Sequence, residues 1–358
     1  MKILSGLAAA FLTSSIAGCG GGGDGGSSEP PQPSTPPTPP ALTASVSSLA
    51  LAASGQTLYS PSSTIQPPLP TGVPRKITIT NTGSAPATGV TVSSSGLPSG
   101  TSITSDTCNG ATLAASASCT LTITPGSTPT HTAGSTTPTP ATVSISGGNT
   151  NTVAVSVSVL TYGSLYQNGY VFALDDTTAD TASVGGKAAA QTDSYGSWGA
   201  TSSVGGINET STALDASSNP PTSCNGNLDG ACNTARIKSF AGSNFSSYAA
   251  GKCGGTISGR SDWYLPAICE FGFAGSAGCG SSSFPTLQNM QISLISHGGI
   301  ENIGGIADAF VNQWSSTESA MLSSAVWQYD FTYDVNGTNG RALKSSTGSI
   351  RCARALTP

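Results

Sequence analysis

DWYLP, at residues 262–266, is the first of three short strings that decide the fold of the last third of the chain; WSSTE follows at 314–318 and IRCAR at 350–354. The strings combine large apolar side chains with proline, serine and arginine. The apolar side chains are typical of a buried core rather than of a contact surface. This assignment covers Trp263, Leu265 and Trp314.

The polar and proline positions of the strings also have plain structural roles. Pro266 fixes φ and lacks an N–H, which suits the start of a helix, so we predict that 267–271 is helical. The hydroxyl groups at 315–317 are expected to bond nearby backbone. A serine nucleophile would need a histidine base, and His297 is the only histidine after residue 160. No elbow motif surrounds these serines, so the sequence does not indicate an enzyme.

In this order, the three strings resemble the Lcl C-terminal domain family, which has a C-type-lectin-like fold. The resemblance begins with YGSLYQNGYVFALD at 162–175, lapses over 200–235, which we interpret as an insertion, and resumes at 248. It implies an α+β C-type-lectin-like domain over 161–358 that binds a ligand on a rigid frame. Formylglycine-generating enzymes share this fold, but the pattern of their paired active-site cysteines is not seen here.

The stretch VWQYDFT at 326–332 alternates with period 2, which predicts a strand. One face would carry Trp327, Tyr329 and Phe331 into the core, and the other would meet solvent. The resemblance extends to variable proteins of diversity-generating retroelements, in which the corresponding late segment is diversified and faces the ligand. The alternative is that this segment is an invariant hairpin that faces solvent. The expected ligand-binding positions are Ser323, Ser324, Gln328, Asp330, Thr332, Tyr333, Asp334, Asn336, Thr338, Asn339 and Arg341.

Calcium is considered because animal C-type lectins use it. Asp330, Asp334, Asn336 and Asn339 supply oxygen atoms at short spacing, but calcium takes six to eight oxygen ligands. The distal glutamate of an EF-hand loop is missing, and a hairpin turn explains the same residues. We therefore predict no cofactor and no metal, with calcium as the alternative.

The N-terminus predicts a lipid anchor. Lys2 and the apolar stretch 3–16 form a short signal peptide over 1–18, and IAGC at 16–19 resembles a bacterial lipobox. The resemblance implies a lipid on Cys19. Gly20 stands where an aspartate would retain the protein in the inner membrane, which favours the outer membrane and the cell surface. An ordinary secretory signal is the alternative.

The Gly/Pro-rich run that follows, up to residue 41, contains no core-forming residues and is typical of a linker. The whole chain is only 8% charged and contains 45 glycines, as extracellular β-rich proteins often do. Its net charge of −5 disfavours nucleic acid as a partner, because binding to nucleic acid depends on neutralising phosphates.

Residues 42–160 predict a β-sandwich. Five segments alternate with period 2, namely 76–80, 90–92, 119–123, 143–145 and 153–159, and Gly, Pro and Asn separate them. The Thr/Pro-rich run 126–141 is expected to be a long loop. The stretches 81–92 and 108–126 resemble bacterial immunoglobulin-like stalk domains, which implies a spacer; a ligand-binding module is the alternative.

Eight cysteines remain once Cys19 is set aside, and an even number in an exported chain indicates disulfides. No metal-ligand spacing occurs among them. Cys108–Cys119, Cys224–Cys232 and Cys269–Cys279 are predicted as short loops. The resemblance implies that Cys253 and Cys352 lie side by side and pair.

Two classes of function stay open for the last domain. The first is a receptor or adhesin for a protein ligand, and the second is an adhesin for sulfated or other glycans. From residue 161 onward there are nine Lys and Arg against fourteen Asp and Glu, which weighs against a polyanion. The exception is a final stretch with no acid after Asp334; if its cations share a face, sulfated glycans regain support. These cations are Arg341, Lys344, Arg351 and Arg354.

Overall fold

The computed structural model describes residues 36–58, 69–199, 201–213, 218–273, 275–281, 285–296, 312–331 and 338–357. The chain divides into two compact units, Met1–Pro37 and Thr38–Pro358. Cys19 and the rest of the predicted signal peptide lie outside the described residues. Within the described ranges, no helix has the length and apolar character needed to cross a membrane.

The second unit is built mainly from β-strands. Its strands are β1 (Leu42–Ala44), β2 (Ser48–Ala52), β3 (Arg75–Asn81), β4 (Thr91–Ser95), β5 (Ser102–Asp106), β6 (Ser118–Thr124), β7 (Ala141–Ser146), β8 (Thr152–Leu160), β9 (Leu165–Tyr166), β10 (Gly169–Asp175), β11 (Gly185–Ala190), β12 (Ser194–Ser197), β13 (Gln313–Glu318), β14 (Ala325–Asp330), β15 (Thr338–Leu343), β16 (Thr347–Ile350) and β17 (Ala353–Ala355). The α-helices are α1 (Gly230–Ala241), α2 (Ala249–Cys253) and α3 (Ile268–Phe271). Two 3-10 helices, Gly242–Ser247 and Gly275–Ala277, and a π-helix, Gln291–Ser296, complete the elements.

The first eight strands form two four-stranded sheets, ordered β1-β3-β6-β5 and β2-β8-β7-β4. Each of the five segments predicted as a strand contributes to one of them. Alternating apolar side chains from both sheets, such as Ile77, Leu121, Val143 and Val155, share one buried cluster, so the sheets pack face to face. Between β6 and β7 the described chain forms no strand or helix, as expected for the Thr/Pro-rich run.

The later strands form a four-stranded sheet, β17-β11-β10-β9, and a five-stranded sheet, β12-β16-β13-β14-β15. The chain end returns to the first of these sheets, where β17 pairs with β11. Tyr264 pairs with Ala353 through backbone hydrogen bonds, so DWYLP and IRCAR lie side by side. Trp263, Leu265 and Trp314 are buried, as predicted.

The helix after Pro266 is shorter than expected. Ala267 has an extended backbone and is the N-cap, so α3 begins at Ile268 and ends at Phe271. The reason is a buried carboxylate: Glu270 Oε2 accepts hydrogen bonds from the backbone N–H groups of Ala267 and Gly230, which start two helices. Pro266 therefore precedes the helix rather than forming its first turn.

The two pairs of sheets share buried contacts. Arg75 is fully buried, and its guanidinium donates to the carbonyl oxygens of Asp176, Thr178 and Ala179. In return, the Asp176 carboxylate accepts hydrogen bonds from the backbone of 71–73. An apolar cluster spans the same junction and includes Ala50, Leu160, Leu174 and Leu356.

Four disulfides close the structure: Cys108–Cys119, Cys224–Cys232, Cys253–Cys352 and Cys269–Cys279. These are the pairs expected from the sequence. Three of them close short loops, whereas Cys253–Cys352 joins residues 99 positions apart and ties α2 to the chain end. Constraint of the unfolded chain is greatest for this long loop.

Candidate ligand-binding surface

The hairpin of β14 and β15 is the centre of the predicted surface. The structure pairs Asp330 with Thr338 and Trp327 with Arg341. Ser323 and Arg341 are exposed, while Ser324 and Asp330 are half-buried. Thr338 and Asn339 are described only by their backbone in β15. The predicted positions Thr332, Tyr333, Asp334 and Asn336 lie outside the described residues.

A buried aromatic layer supports this hairpin. Trp327, Tyr329 and Phe331 point into the core, as alternation predicted. The ring of Phe271 stacks against Tyr329 with centroids 6.4 Å apart, and Tyr329 contacts Phe331 at 5.1 Å. Gly272 permits the close approach of Tyr329, because a Cβ atom there would lie 2.1 Å from the phenol oxygen. Burial raises the pKa of the Tyr329 phenol, which stays neutral.

The prediction that Gln328 faces solvent is wrong. Only 7% of Gln328 is exposed, and it lies opposite Trp314 on β13 and Gly340 on β15. The physical reason is that other elements cover the second face of β14, including Ile237 of α1 and Ala250 of α2. The second face lies in another buried cluster, which contains Val326 and Trp314. Both faces of the strand are therefore buried, and the alternation of residue types does not mark a solvent-exposed face.

The four late cations do not form a free basic face. Each one contacts a carboxylate from an earlier part of the chain: Arg341 with Glu209, Lys344 with Glu318, Arg351 with Asp193 and Arg354 with Asp262. Lys344, Arg351 and Arg354 are also fully buried. The hydrogen bond from Arg354 lowers the pKa of the Asp262 carboxyl, which keeps that pair charged. The condition that favoured sulfated glycans is therefore not met.

Large apolar side chains are exposed at one end of this hairpin. Met321, Leu322 and Leu343 are 74%, 55% and 55% exposed, and we call these three residues the apolar patch. Backbone hydrogen bonds bring their segments together, because Ala325 N donates to Leu322 O and Lys344 N donates to Ser324 O. The sequence interpretation missed this patch. The only signal was two adjacent apolar residues in a serine-rich turn.

Segment 200–235, which the sequence predicts to be an insertion, supports the end of the hairpin that carries the apolar patch. Glu209 Oε2 accepts a hydrogen bond of 2.6 Å from Ala320 N, and Glu209 Oε1 lies 3.4 Å from Arg341. The guanidinium of Arg341 in turn lies over the Trp327 ring at 4.3 Å. The turn that carries Met321 and Leu322 is therefore held to a buried aromatic layer, which limits its freedom.

The serines of WSSTE bond to neighbouring backbone and side chains. Ser315 Oγ donates to Trp327 O at 2.8 Å, Thr317 Oγ1 donates to Gly226 O at 2.7 Å, and Ser316 Oγ accepts from Asn233. His297, the residue considered as a base, lies outside the described residues. Ser315 and Thr317 thus bond backbone, as expected from the sequence, whereas Ser316 bonds the side chain of Asn233 in α1.

The described ranges contain no group of three or more His, Cys, Asp and Glu residues that could hold a metal ion. Two of the residues weighed for calcium, Asp334 and Asn336, lie outside those ranges. Calcium therefore stays an alternative for the turn between β14 and β15.

Comparison with known proteins gave no matching protein family and no matching characterised sequence. Among solved structures, the secreted serine protease VesC from Vibrio cholerae has 18% sequence identity and a TM-score of 0.19. The match covers 34% of this chain and 29% of the protease chain. A similarity at this level carries no argument about fold or activity.

Proposed function

We propose that this chain is a lipoprotein displayed on the outer membrane, whose C-terminal C-type-lectin-like domain binds an external protein ligand. In this proposal Cys19 carries the lipid, residues 19–41 are the linker, and the immunoglobulin-like β-sandwich of 42–160 is a spacer. The ligand contacts the end of the β14–β15 hairpin at which β14 begins and β15 ends, where the apolar patch lies. No cofactor or catalytic group is assigned.

The apolar patch is the observation that carries the proposal. Exposed Met and Leu side chains on an ordered turn provide apolar area that a partner can bury without first ordering the turn. Arg341 and Glu209 lie beside the patch and supply a polar rim. This combination of an apolar centre and a charged edge is typical of protein interfaces.

The exposed positions are compatible with diversification of the surface. Ser323 can change without disturbing the core because its side chain reaches solvent, whereas Arg341 also contacts Glu209 and the Trp327 ring. Gln328 is buried, and we expect it to tolerate few residue types. The proposal thus keeps Ser323, Ser324 and Arg341 from the predicted surface, leaves out Gln328 and adds the apolar patch.

A sulfated glycan is the weaker candidate for this surface. Polyanions are bound by cations that are free to contact sulfate groups. Here Lys344, Arg351 and Arg354 are buried and paired with carboxylates, and Arg341 is paired at the surface. If one of these cations moved to contact a sulfate group, the carboxylate that it now pairs with would lose its partner.

The test is a binding comparison between two variants of the full-length chain. The patch variant carries Met321→Ser, Leu322→Ser and Leu343→Thr, and the control carries Phe240→Ser, which removes an exposed aromatic side chain from α1. Ligand captured by the parent from the outside of neighbouring cells is expected to be lost with the patch variant and kept with the control.

Loss of an apolar anchor from an interface typically costs about 2 kcal/mol or more, so about thirtyfold weaker binding is expected. Thermal melts of both variants would show whether either is misfolded, and surface substitutions should leave stability within about 0.5 kcal/mol. Equal binding by the patch variant and the control would contradict the proposal.

A further inference from the structure

A pocket lies where the β-sandwich meets the following sheet, away from the apolar patch. Its volume is about 500 Å³, and it has three walls. The outer face of β2 and β8 supplies Ser48, Ser156 and Ser158; the Thr/Pro-rich loop supplies Thr136, Pro138 and Pro140; the second half of the chain supplies Leu165, Tyr166, Gln167, Asn168 and Gln191.

The loop wall is fixed by contacts on both sides. Thr130 N donates to Val159 O of the sandwich, and Gly134 N donates to Gly163 O of the following segment. Ala133 packs against the core of the C-terminal sheets. The turn at Gln167 and Asn168, where both φ angles are positive, forms a tight hairpin that presents Tyr166 to the pocket. The pocket is therefore preformed.

The lining has polar groups that are not used by the fold. Within the described ranges, no hydrogen bond is formed by the side-chain hydroxyls of Ser48, Ser156, Ser158 or Thr136. Ser158 is the least exposed of these residues, with 6% of its surface accessible, and its oxygen is not among the described buried side-chain atoms that lack a partner. These hydroxyl groups face the pocket, so a ligand with polar groups of its own can take the place of the water that would otherwise contact them.

The chemistry of the lining selects the class of ligand. None of the described residues that line the pocket is Lys, Arg, His, Asp or Glu, which leaves hydroxyl and amide groups beside Tyr166, Pro138 and Pro140. Neutral sugars match this set, because they combine many hydroxyl groups with apolar C–H faces that lie against aromatic and proline rings.

A pocket beside Lys187 and Gln288 differs in this respect. Lys187 contacts Glu270, and both amide atoms of Gln288 bond to Leu174 or Tyr162, so these polar groups are already committed to the fold. In the pocket at the junction of the two halves, Gln167 is also committed to the fold, because it bonds to Arg354 and Thr357. The free hydroxyls of the sandwich wall are the groups left for a ligand.

We propose that the pocket between the β-sandwich and the C-terminal sheets binds a neutral mono- or disaccharide. Ser158 and Ser156 contact the sugar hydroxyls, and Tyr166 lies against a C–H face. Because this site lies away from the apolar patch, the chain has two ligand sites, one for a protein and one for a neutral sugar.

Titration calorimetry tests this with the full-length chain in a detergent that has no sugar headgroup. The probes are cellobiose, maltose, lactose and diacetylchitobiose, and a sulfated heparin disaccharide is the control probe. At least one neutral probe is expected to bind with a dissociation constant of about 1 mM or tighter, and the sulfated probe is expected not to bind.

Three variants locate the site. Ser158→Ala is expected to weaken binding by about three- to tenfold, Tyr166→Ala by about tenfold or more, and Ser48→Trp, which fills the pocket from an exposed position, is expected to abolish it. Ser144→Ala, on the same sheet face but outside the pocket, is the matched control and should bind like the parent.

Two results would overturn the inference. One is that no neutral probe binds the parent at concentrations up to about 10 mM. The other is that a probe binds but its affinity is unchanged by Ser48→Trp, which would place the sugar elsewhere. Leu322→Ser is expected to bind the sugar normally, so failure of the protein-ligand proposal and failure of this one are distinguishable.

Discussion

Lys344 is a fully buried cation whose ammonium group has its partners within the fold. Its Nζ lies 2.5 Å from Glu318 Oε1 and 2.8 Å from Ser202 O, and it lies over the Trp198 ring at 4.9 Å. Glu318 also accepts hydrogen bonds from Ser203 and from Val204 N. A buried pair of this kind is stable only while both charges are present, because each one alone would carry an uncompensated desolvation cost.

We therefore predict that Glu318→Gln lowers the free energy of unfolding by about 3–5 kcal/mol, since it leaves Lys344 charged and buried. Asp180→Asn is the control, because Asp180 contacts Lys76 in a pair that is about half exposed on both sides. The control should melt close to the parent. Chemical denaturation of the three proteins measures the difference, and equal stability of both variants would argue against a buried charge pair.

The partners of the late cations could not be predicted from the sequence. Counting charges after Asp334 finds only Lys and Arg, but their partners Asp193, Glu209, Asp262 and Glu318 come from earlier segments. Local composition does not report which distant strands will pair. Three of the disulfides were easier to predict because their cysteines are closely spaced, whereas the Cys253–Cys352 pair was implied only by the family resemblance.

At the scale of the element, β14 combines one correct and one wrong expectation. Period 2 places Trp327, Tyr329 and Phe331 on the core side, and the structure agrees. The same pattern predicted that Gln328 faces solvent, which is wrong. Alternation shows that a strand has two different faces, but it does not show what covers the second one. Tertiary packing settles that question, because Val326 on the second face lies in a buried cluster with Ile237 of α1 and Ala250 of α2.

Substitutions along this hairpin should separate buried from exposed positions. Trp327→Ala and Tyr329→Ala are each expected to cost about 3–5 kcal/mol, because they leave cavities in a packed aromatic layer. Ser323→Ala, in the exposed turn before the strand, should stay within about 0.5 kcal/mol. Urea denaturation monitored by tryptophan and tyrosine fluorescence checks this, and a destabilising Ser323→Ala with a tolerated Tyr329→Ala would show that the strand register is wrong.

At the scale of the whole molecule, the two halves of the second unit are joined by buried polar contacts. Arg75 reaches from the sandwich to the carbonyl groups of 176–182, and Asp176 binds the backbone of 71–73 in return. Burial lowers the pKa of Arg75, while the nearby Asp176 opposes that shift. The sandwich thus holds the C-terminal sheets at a fixed orientation, which suits a spacer that presents a binding surface.

The β-rich architecture and its strand segments could be predicted because alternation and turn residues are local signals. The apolar patch and the pocket at the junction of the two halves could not, because each depends on segments far apart in the chain. Leu343 joins Met321 and Leu322 only through strand pairing, and Ser158 meets Tyr166 only across the junction of the two halves.

The most direct test of the central claim is site-specific photo-crosslinking on intact cells that display the full chain. A photoreactive amino acid replaces Leu322 in one variant and Phe240 in the other; both positions are exposed. We predict a crosslinked protein adduct from position 322, lost when Met321→Ser and Leu343→Thr are added, and none from position 240. Equal adducts from both positions, or an adduct from 240 alone, would contradict a ligand surface at the end of the β14–β15 hairpin.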